Sequence, residues 1–394
     1  MRKISIVTFS RSEYSSCLPI MRAIQEDSDL ELHVVASGSH LLTDFGLTVN
    51  EIERDGFDCE RVEMALASDS SEDIAKSVGL GTMGFAQNFA RFRPDLVLLT
   101  GDRLELLAVA CVALPMHIPI AHVSGGDITE GAIDNQVRHG ISKMSHLHFV
   151  SMKSHGKRLI QMGEEAWRVS VTGDPALDLV RHMKVLSREE VSRRLGIELC
   201  PPVLIVTYHP ATLGSADPAD EIKSLLESLD DVDGTAIFTY PNADAGNRVV
   251  IECIQDFVRR KKAARLYENL GQAGFYGVLS HADLMVGNSS SGIWEAPSFS
   301  LPVVNIGERQ KGRLRADNVI DVPTARMDDI KAAIQRGLSP AFRARLYNMT
   351  NPYGDGYATQ RIMKILKTVK LDLTLLQKRF VDLAFEKQAT EGTI

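Results

Sequence analysis

The sequence predicts an α/β protein made of two doubly wound, Rossmann-like lobes, and three observations carry that prediction. Short apolar runs rich in Val and Ile recur along the chain, segments of helical spacing separate them, and 394 residues are too many for one ordinary core. A strand that is apolar along its whole length is buried on both faces, the signature of a parallel sheet covered by helices.

In chain order the first lobe takes its strands from "KISIVTF" (3–9), "LELHVVAS" (30–37), "DLVLLTG" (95–101), "PIAHVSG" (119–125), "HLHFVS" (146–151) and "RVSVTG" (168–173). A polar, charged stretch, "TGDPALDLVRHMKVLSREEVSRRLG", interrupts the series, which places the boundary between lobes 1–173 and 174–369. The second lobe follows with "PVLIVTYHP" (202–210), "TAIFTYP" (235–241), "ADLMVG" (282–287) and "PVVNIG" (302–307). From Tyr357 onward the apolar spacing is helical, with Ile362, Ile365 and Leu366 on one face, and a C-terminal helix over about 370–394 is expected to pack back on the first lobe.

Composition excludes several classes of function. A net charge of −7 with no basic run argues against nucleic acid as a partner. The N-terminal "MRKISIVTF" is too short for a signal core, and no segment reaches the roughly 18 apolar residues of a membrane span, so a cytoplasmic protein without membrane contact is expected. The five cysteines (Cys17, Cys59, Cys111, Cys200, Cys253) are scattered, which reads as free thiols. His146 and His148 alternate along one strand, but no third ligand follows at metal spacing, and no metal site is expected. Gly79, Gly81 and Gly84 spell GxGxxG, yet they fall inside a helical run and not after a strand, so no nicotinamide cofactor is expected.

Open α/β sheets bind ligands beyond the carboxyl ends of their strands, and the residues there are the candidates for chemistry. "GNSSSGIWEAPS" follows "ADLMVG" and opens a helix. Backbone N–H groups at such a start, with Ser290, Ser291 and Gly292, make a cradle for a diphosphate, although a serine there also serves as an ordinary helix cap. Glu295, one turn on, is placed to accept both hydroxyls of a ribose diol or simply to complement the helix dipole. Asp102 in "LLTGDRLE" and Asp127 in "AHVSGGDITEGAIDNQVRH" end two nearby strands; Asp134 precedes a helix, where it is also an ordinary N-cap residue. Carboxylates gathered beside an anionic substrate raise one another's pKa, which divides them into acids and bases suited to proton transfer at carbon. His209 in "VTYHPAT" faces the proposed cleft, able to bond a phosphate or move a proton. Arg11 in "TFSRSEY" and Arg103 follow first-lobe strands and suit anion binding. Arg313 belongs to "GERQKGRLR", a run that reads as a surface loop unless its position after a strand brings it to the anion motif. Arg103, Glu130, Asn242 and Arg313 are the candidate substrate contacts.

These motifs resemble one family over almost the whole chain: the hydrolysing UDP-N-acetylglucosamine 2-epimerases of bacterial sialic-acid synthesis. The resemblance runs from "FSRSEY" through "GDRLE", "HVSGGDITEGAIDNQVRHGISKMSHLHF" and "YHPATL" to "GNSSSGIWEAPS" and "NIGERQKGRLRADNVIDVP". It implies a glycosyltransferase-B-type fold with an interlobe cleft, UDP held by the second lobe (Ser290, Ser291, Gly292, Glu295, with Arg11), and a sugar facing Asp102, Asp127 and Asp134, with His209 as a further catalytic residue. It also implies a reaction without cofactor: UDP is eliminated across C1–C2 to give 2-acetamidoglucal, and water adds to release N-acetylmannosamine. Homo-oligomers, dimers or tetramers, are the family habit. Two departures stand out. "FSRSEYSS" replaces the "TGTRAEYG" of many relatives, and Asp127 stands where several have Glu; some relatives act on a UDP-2,4-diacetamido-6-deoxy sugar of the legionaminic-acid route, and the motifs leave that alternative substrate open beside UDP-N-acetylglucosamine. A glycosyltransferase and a catalytically silent UDP-sugar sensor are the competing readings on the same scaffold.

Overall fold

The computed structural model describes residues 1–64, 70–130, 132–183, 185–210, 217–241 and 246–382. Two wholly parallel sheets organise it. The first holds β1 (Arg2–Thr8), β2 (Leu30–Ser37), β3 (Cys59–Val62), β4 (Leu96–Thr100), β5 (Ile120–Val123), β6 (Leu147–Val150) and β7 (Val169–Val171), in the order β3-β2-β1-β4-β5-β6-β7. The second holds β8 (Val203–Thr207), β9 (Thr235–Thr239), β10 (Ala264–Tyr267), β11 (Leu284–Gly287), β12 (Val303–Ile306) and β13 (Val319–Val322), in the order β10-β9-β8-β11-β12-β13. β3, β10 and β13 were absent from the strands read in the sequence; all three are edge strands.

Both faces of each sheet are covered. In β1 and β4, Ile4, Ile6, Leu96 and Leu98 enter one apolar layer while Val7, Val97 and Leu99 enter another, as the two-residue side-chain period requires. The second of these layers packs under the helix Ser71–Phe92, which contains Gly79, Gly81 and Gly84. A Cβ on Gly81 would lie 2.9 Å from Met64 Cε and one on Gly84 2.7 Å from Val62 Cγ1, so these two glycines let the helix approach its neighbours.

Strand order reverses between β1 and β4 and again between β8 and β11, and a crevice opens at each such switch point. The segments leaving β1, β4, β8 and β11 therefore converge. They carry Arg11, Asp102, His209 and Ser290.

The chain passes between the sheets twice, and the crossings lie side by side: Asp174 N donates to Tyr353 O at 2.9 Å, and the Asp178 carboxylate accepts from Ala358 N and Thr359 N at 2.9 and 2.6 Å. The helix Ala358–Thr368 then packs on the first-lobe helix Arg11–Gln25 through buried Ile362 and Leu366. Beyond it the structure differs from the expected C-terminal helix. Leu373–Leu376 forms a single turn and the chain runs irregularly to residue 382, the rest lying outside the described residues. Arg168 is the reason. Its guanidinium donates to the carbonyls of Thr374, Leu375 and Gln377, acceptors that a continuing helix would offer to its own N–H groups. Among the described residues no helix is long and apolar enough to cross a membrane.

Candidate functional site

The nucleotide-motif side of the cleft is built around Asn288. β11 leaves the sheet at Gly287, whose φ is 134° and where a Cβ would stand 2.0 Å from Thr207 O, so only glycine fits beside β8. Asn288 then accepts from His209 N at 2.7 Å and donates to His209 O at 2.8 Å, locking together the segments that follow β8 and β11. Its own carbonyl accepts from Gln310 Nε2 at 2.7 Å. Ser290 takes the N-cap position of the helix Ser291–Trp294 without making a side-chain cap bond, while Ser289 Oγ accepts from Ser291 N at 3.3 Å. The helix is a single turn, and Glu295 falls at its end.

Arg11, Thr207, His209, Ser290, Ser291 and Glu295 line one cleft between the lobes. Burial pushes the Glu295 carboxyl up, opposed by the Ser291 and Tyr276 hydroxyls and by the Arg11 charge. Tyr276 OH donates to it at 2.8 Å. Burial, reinforced by Arg309 and Arg11, drives His209 well below its ordinary value, so its imidazole is neutral near pH 7. Gly292 turns its missing side chain toward β12, where a Cβ would meet Val303 Cγ1 at 2.9 Å. Glycine at this position thus lets the turn pack closely on the sheet.

The acid side gathers Asp102 and Asp127 around two arginines. Asp102 follows Gly101, which holds a left-handed φ of 89° after β4. Asp127 follows Gly126, also left-handed, where a Cβ would strike His155 O at 2.4 Å. Buried Arg138 donates to Asp127 O at 3.2 Å and to Thr129 Oγ1 at 2.7 Å and pairs with the Asp102 carboxylate. Arg313, from the loop after β12, places Nε 3.1 Å from Asp127 Oδ2 and its terminal nitrogen 3.8 Å from Asp102 Oδ2. His155 Nε2 lies 3.2 Å from Asp127 Oδ1.

Charge then follows from environment, and it departs from the expectation that clustered acids raise one another. Burial opposes ionisation of Asp127, but Arg313, the His155 hydrogen bond and Arg138 outweigh it and hold the carboxyl well below its usual range. Burial likewise opposes ionisation of Asp102, and Arg138 and Arg313 again prevail. The two aspartates are anions; mutual repulsion is the smaller effect because two cations stand between them.

Asp134 stands one place inside the helix Asp134–Met144, after Ile133 at the N-cap, half-buried and close enough to influence Arg138. Arg103 is engaged bidentately by Glu105 at 3.1 and 3.3 Å. Glu130 is exposed and uses its backbone N–H to bond Lys311 O at 3.1 Å. Asn242 lies outside the described residues. His146 Nδ1 accepts from Ile120 N, and His148 Nε2 lies 2.9 Å from Glu164, so both histidines work within the first lobe. Trp294 joins the two sides: it lines the cleft with Arg11 and Ser290, and the Arg313 guanidinium lies 4.7 Å over its ring.

Sequence reasoning missed Arg138 and His155 as site members. His155 opens the first turn of the helix Lys153–Gln161 just beyond β6, where the strand-end rule reaches it; Arg138 lies four residues after Asp134 on one helix face.

Two Rossmann-like lobes whose strand ends face one cleft define a glycosyltransferase-B-type architecture. The chain matches the UDP-N-acetylglucosamine 2-epimerase family model over residues 22–367 and belongs to that family. It is 41% identical to the GDP/UDP-N,N'-diacetylbacillosamine 2-epimerase (hydrolyzing) of Campylobacter jejuni, over 97% of this chain and 99% of the relative. It is 36% identical to the UDP-N,N'-diacetylbacillosamine 2-epimerase (hydrolyzing) of Legionella pneumophila, over 96% and 99%. The crystal structure of UDP-GlcNAc 2-epimerase from Neisseria meningitidis bound to UDP-GlcNAc superposes with a TM-score of 0.78 at 19% identity, covering 94% of this chain and all of that one, a likeness of fold.

Proposed function

We propose that the protein is a hydrolysing 2-epimerase of UDP-2,4-diacetamido-2,4,6-trideoxyglucose, that is, UDP-N,N'-diacetylbacillosamine. The substrate that the motifs put first, UDP-N-acetylglucosamine, gives way to the second because both relatives above act, by name, on the diacetamido sugar. One observation carries the reaction type: the arginine-paired aspartates Asp102 and Asp127 are linked through Arg313 and Trp294 to a cleft lined by His209, a serine-rich turn and Arg11.

The chemistry needs both halves. A carboxylate takes the weakly acidic C2 proton while the C1–O bond breaks and its electron pair leaves with UDP, giving a 2-acetamidoglycal. Arg11, His209, Ser290 and Ser291 stabilise the charge that gathers on the departing diphosphate, and Glu295 accepts from the ribose diol. Water then adds across the double bond, oxygen to C1 and a proton to the opposite face of C2, releasing 2,4-diacetamido-2,4,6-trideoxymannose. Asp102, Asp127 and Asp134 share the two proton transfers.

The test offers the diacetamido substrate and UDP-N-acetylglucosamine in parallel in deuterium oxide and follows products by NMR. Expected are UDP and the manno product carrying deuterium at C2, with kcat/KM for the diacetamido substrate higher by at least about tenfold, the discrimination that a site built around one polar substituent supplies readily. Faster turnover of UDP-N-acetylglucosamine overturns the substrate; protium retained at C2 overturns the mechanism. UDP release only with an acceptor would make the protein a glycosyltransferase, and ligand binding without turnover a sensor.

A further inference from the structure

We propose that Arg313 is a positioning residue through which the nucleotide-binding lobe controls the charge shell of the first-lobe acids Asp127 and Asp102. The inference rests on the activity proposed above and adds a route by which UDP engagement reaches the reacting end of the sugar.

The route is a chain of contacts. Asn288 O, at the root of the serine turn, accepts from Gln310 Nε2 at 2.7 Å; Gln310 Oε1 accepts from Arg313 NH1 at 2.7 Å; and Arg313 reaches Asp127 at 3.1 Å and Asp102 at 3.8 Å. Gln310 is wholly buried and Arg313 nearly so, which leaves little freedom for either to move alone. The loop that carries them is pressed on the acid-bearing loop: Glu130 N bonds Lys311 O, and at Gly312 a Cβ would lie 2.5 Å from Ile128 Cγ2. A shift of the serine turn is thus passed through Gln310 to Arg313.

The two arginines of the cluster differ in how they are fixed. Arg138 belongs to the same lobe as the acids and makes directed hydrogen bonds to Asp127 O and Thr129 Oγ1. Arg313 Nε and Asp127 Oδ2 are close, yet neither is in an aligned hydrogen bond, so their attraction is Coulombic and falls off smoothly with separation. The charged and titratable groups around Asp127 are Asp102, Arg138, His139, His155, Arg158, Asp174, Tyr353 and Arg313. Arg313 alone among the cations comes from the second sheet's loops, and it outranks the others in holding Asp127 ionised. Withdrawing it favours the protonated acid, which suits delivery of a proton in the second half-reaction.

The experiment compares wild type with Arg313→Met, Arg313→Lys and Gln310→Met. Carbon-13 NMR of aspartate-labelled protein follows the carboxyl resonance that disappears in Asp127→Asn, and UDP release gives kcat and KM against pH. In Arg313→Met the Asp127 resonance should titrate at least about one pH unit higher than in wild type, the usual effect of removing a neighbouring opposite charge. The acid limb of kcat should rise with it, while KM changes less than about threefold. Arg313→Lys should recover at least half of the displacement, and Gln310→Met should give a smaller displacement of the same sign. An unmoved Asp127 titration, or a loss confined to KM, overturns the proposal. Should Arg313→Met not fold, the lysine and Gln310 variants decide by the same readings. A wild type that turns over no UDP-sugar defeats the activity, while the carboxyl titration still decides the role of Arg313.

Discussion

Asp102 and Asp127 are buried within ion-pair distance of arginines that hold them ionised, whereas in Glu13 and Asp174 burial prevails over the groups that would lower them, and that difference separates ionised from neutral acids. Burial, with the nearby Glu295, Asp178 and Asp127 charges, pushes Asp174 up to about 7; burial pushes Glu13 up to about 8. The folded protein thus keeps a proton on Asp174 that the unfolded chain releases at about pH 4. Stability from this group is complete below that pH, declines as pH rises, and is gone above about 7. Asp174→Asn should therefore melt near wild type at pH 5 and above it at pH 8; the same offset at both pH values would contradict a neutral Asp174. For turnover, Asp102→Asn and Asp134→Asn should each lower kcat by roughly 10²-fold or more while UDP affinity stays within about threefold, measured by product NMR and calorimetry. Asp102→Asn also strips a buried arginine of its counter-charge, at a cost of about 3–5 kcal/mol, so half-buried Asp134 gives the cleaner comparison.

At the scale of elements, strands buried on both faces were legible because such strands are apolar throughout. β3, β10 and β13 escaped because an edge strand must discourage pairing with other chains, and each carries charge to do so: Glu60 and Arg61, Arg265, and Asp321. Candidates that directly follow a strand were legible by the same logic: Asp102, His209 and Ser290 are found at the switch points, and Asp127 beyond the adjacent strand β5. Arg138 was not, since a cation in a helix reads as surface until the fold turns it inward; nor was the charge of the aspartates, which depends on an arginine from the other sheet's loops. The helical setting of the GxGxxG run was legible, and its glycines have a testable task. Gly84→Ala brings a Cβ to 2.7 Å from Val62 Cγ1 and should cost about 1–3 kcal/mol in urea unfolding, with kcat unchanged. Val62→Ala in the same chain should restore most of that loss. A fall in kcat at unchanged stability would instead give these glycines a place in the site.

Over the whole molecule, the C-terminal segment stitches the end of the chain to the first lobe by cations that satisfy backbone carbonyls. Arg2 bonds the carbonyls of Leu366 and Val369, and Lys378 bonds Ser145 O at 2.6 Å and pairs with buried Glu164 at 2.7 Å. Arg168 does most, since it is fully buried, pairs with Glu165 at 2.7 Å and takes the Leu375 and Thr374 carbonyls at 2.7 and 2.9 Å. Hydrogen bonds to a charged donor contribute about 1.5–3 kcal/mol each, so Arg168→Met should cost several kcal/mol and leave these carbonyls to water. The loss should be local, because the first sheet keeps both apolar layers when residues 373–382 come away. Hydrogen exchange should accelerate across residues 374–382 while amides of β1 and β4 stay protected, and trypsin should cut at Lys378 and Arg379. Turnover should remain within about twofold, since the substituted side chain binds the tail and lines no part of the cleft. Protection retained across 374–382 in Arg168→Met would mean that Lys378 and apolar Leu375 hold the segment without it.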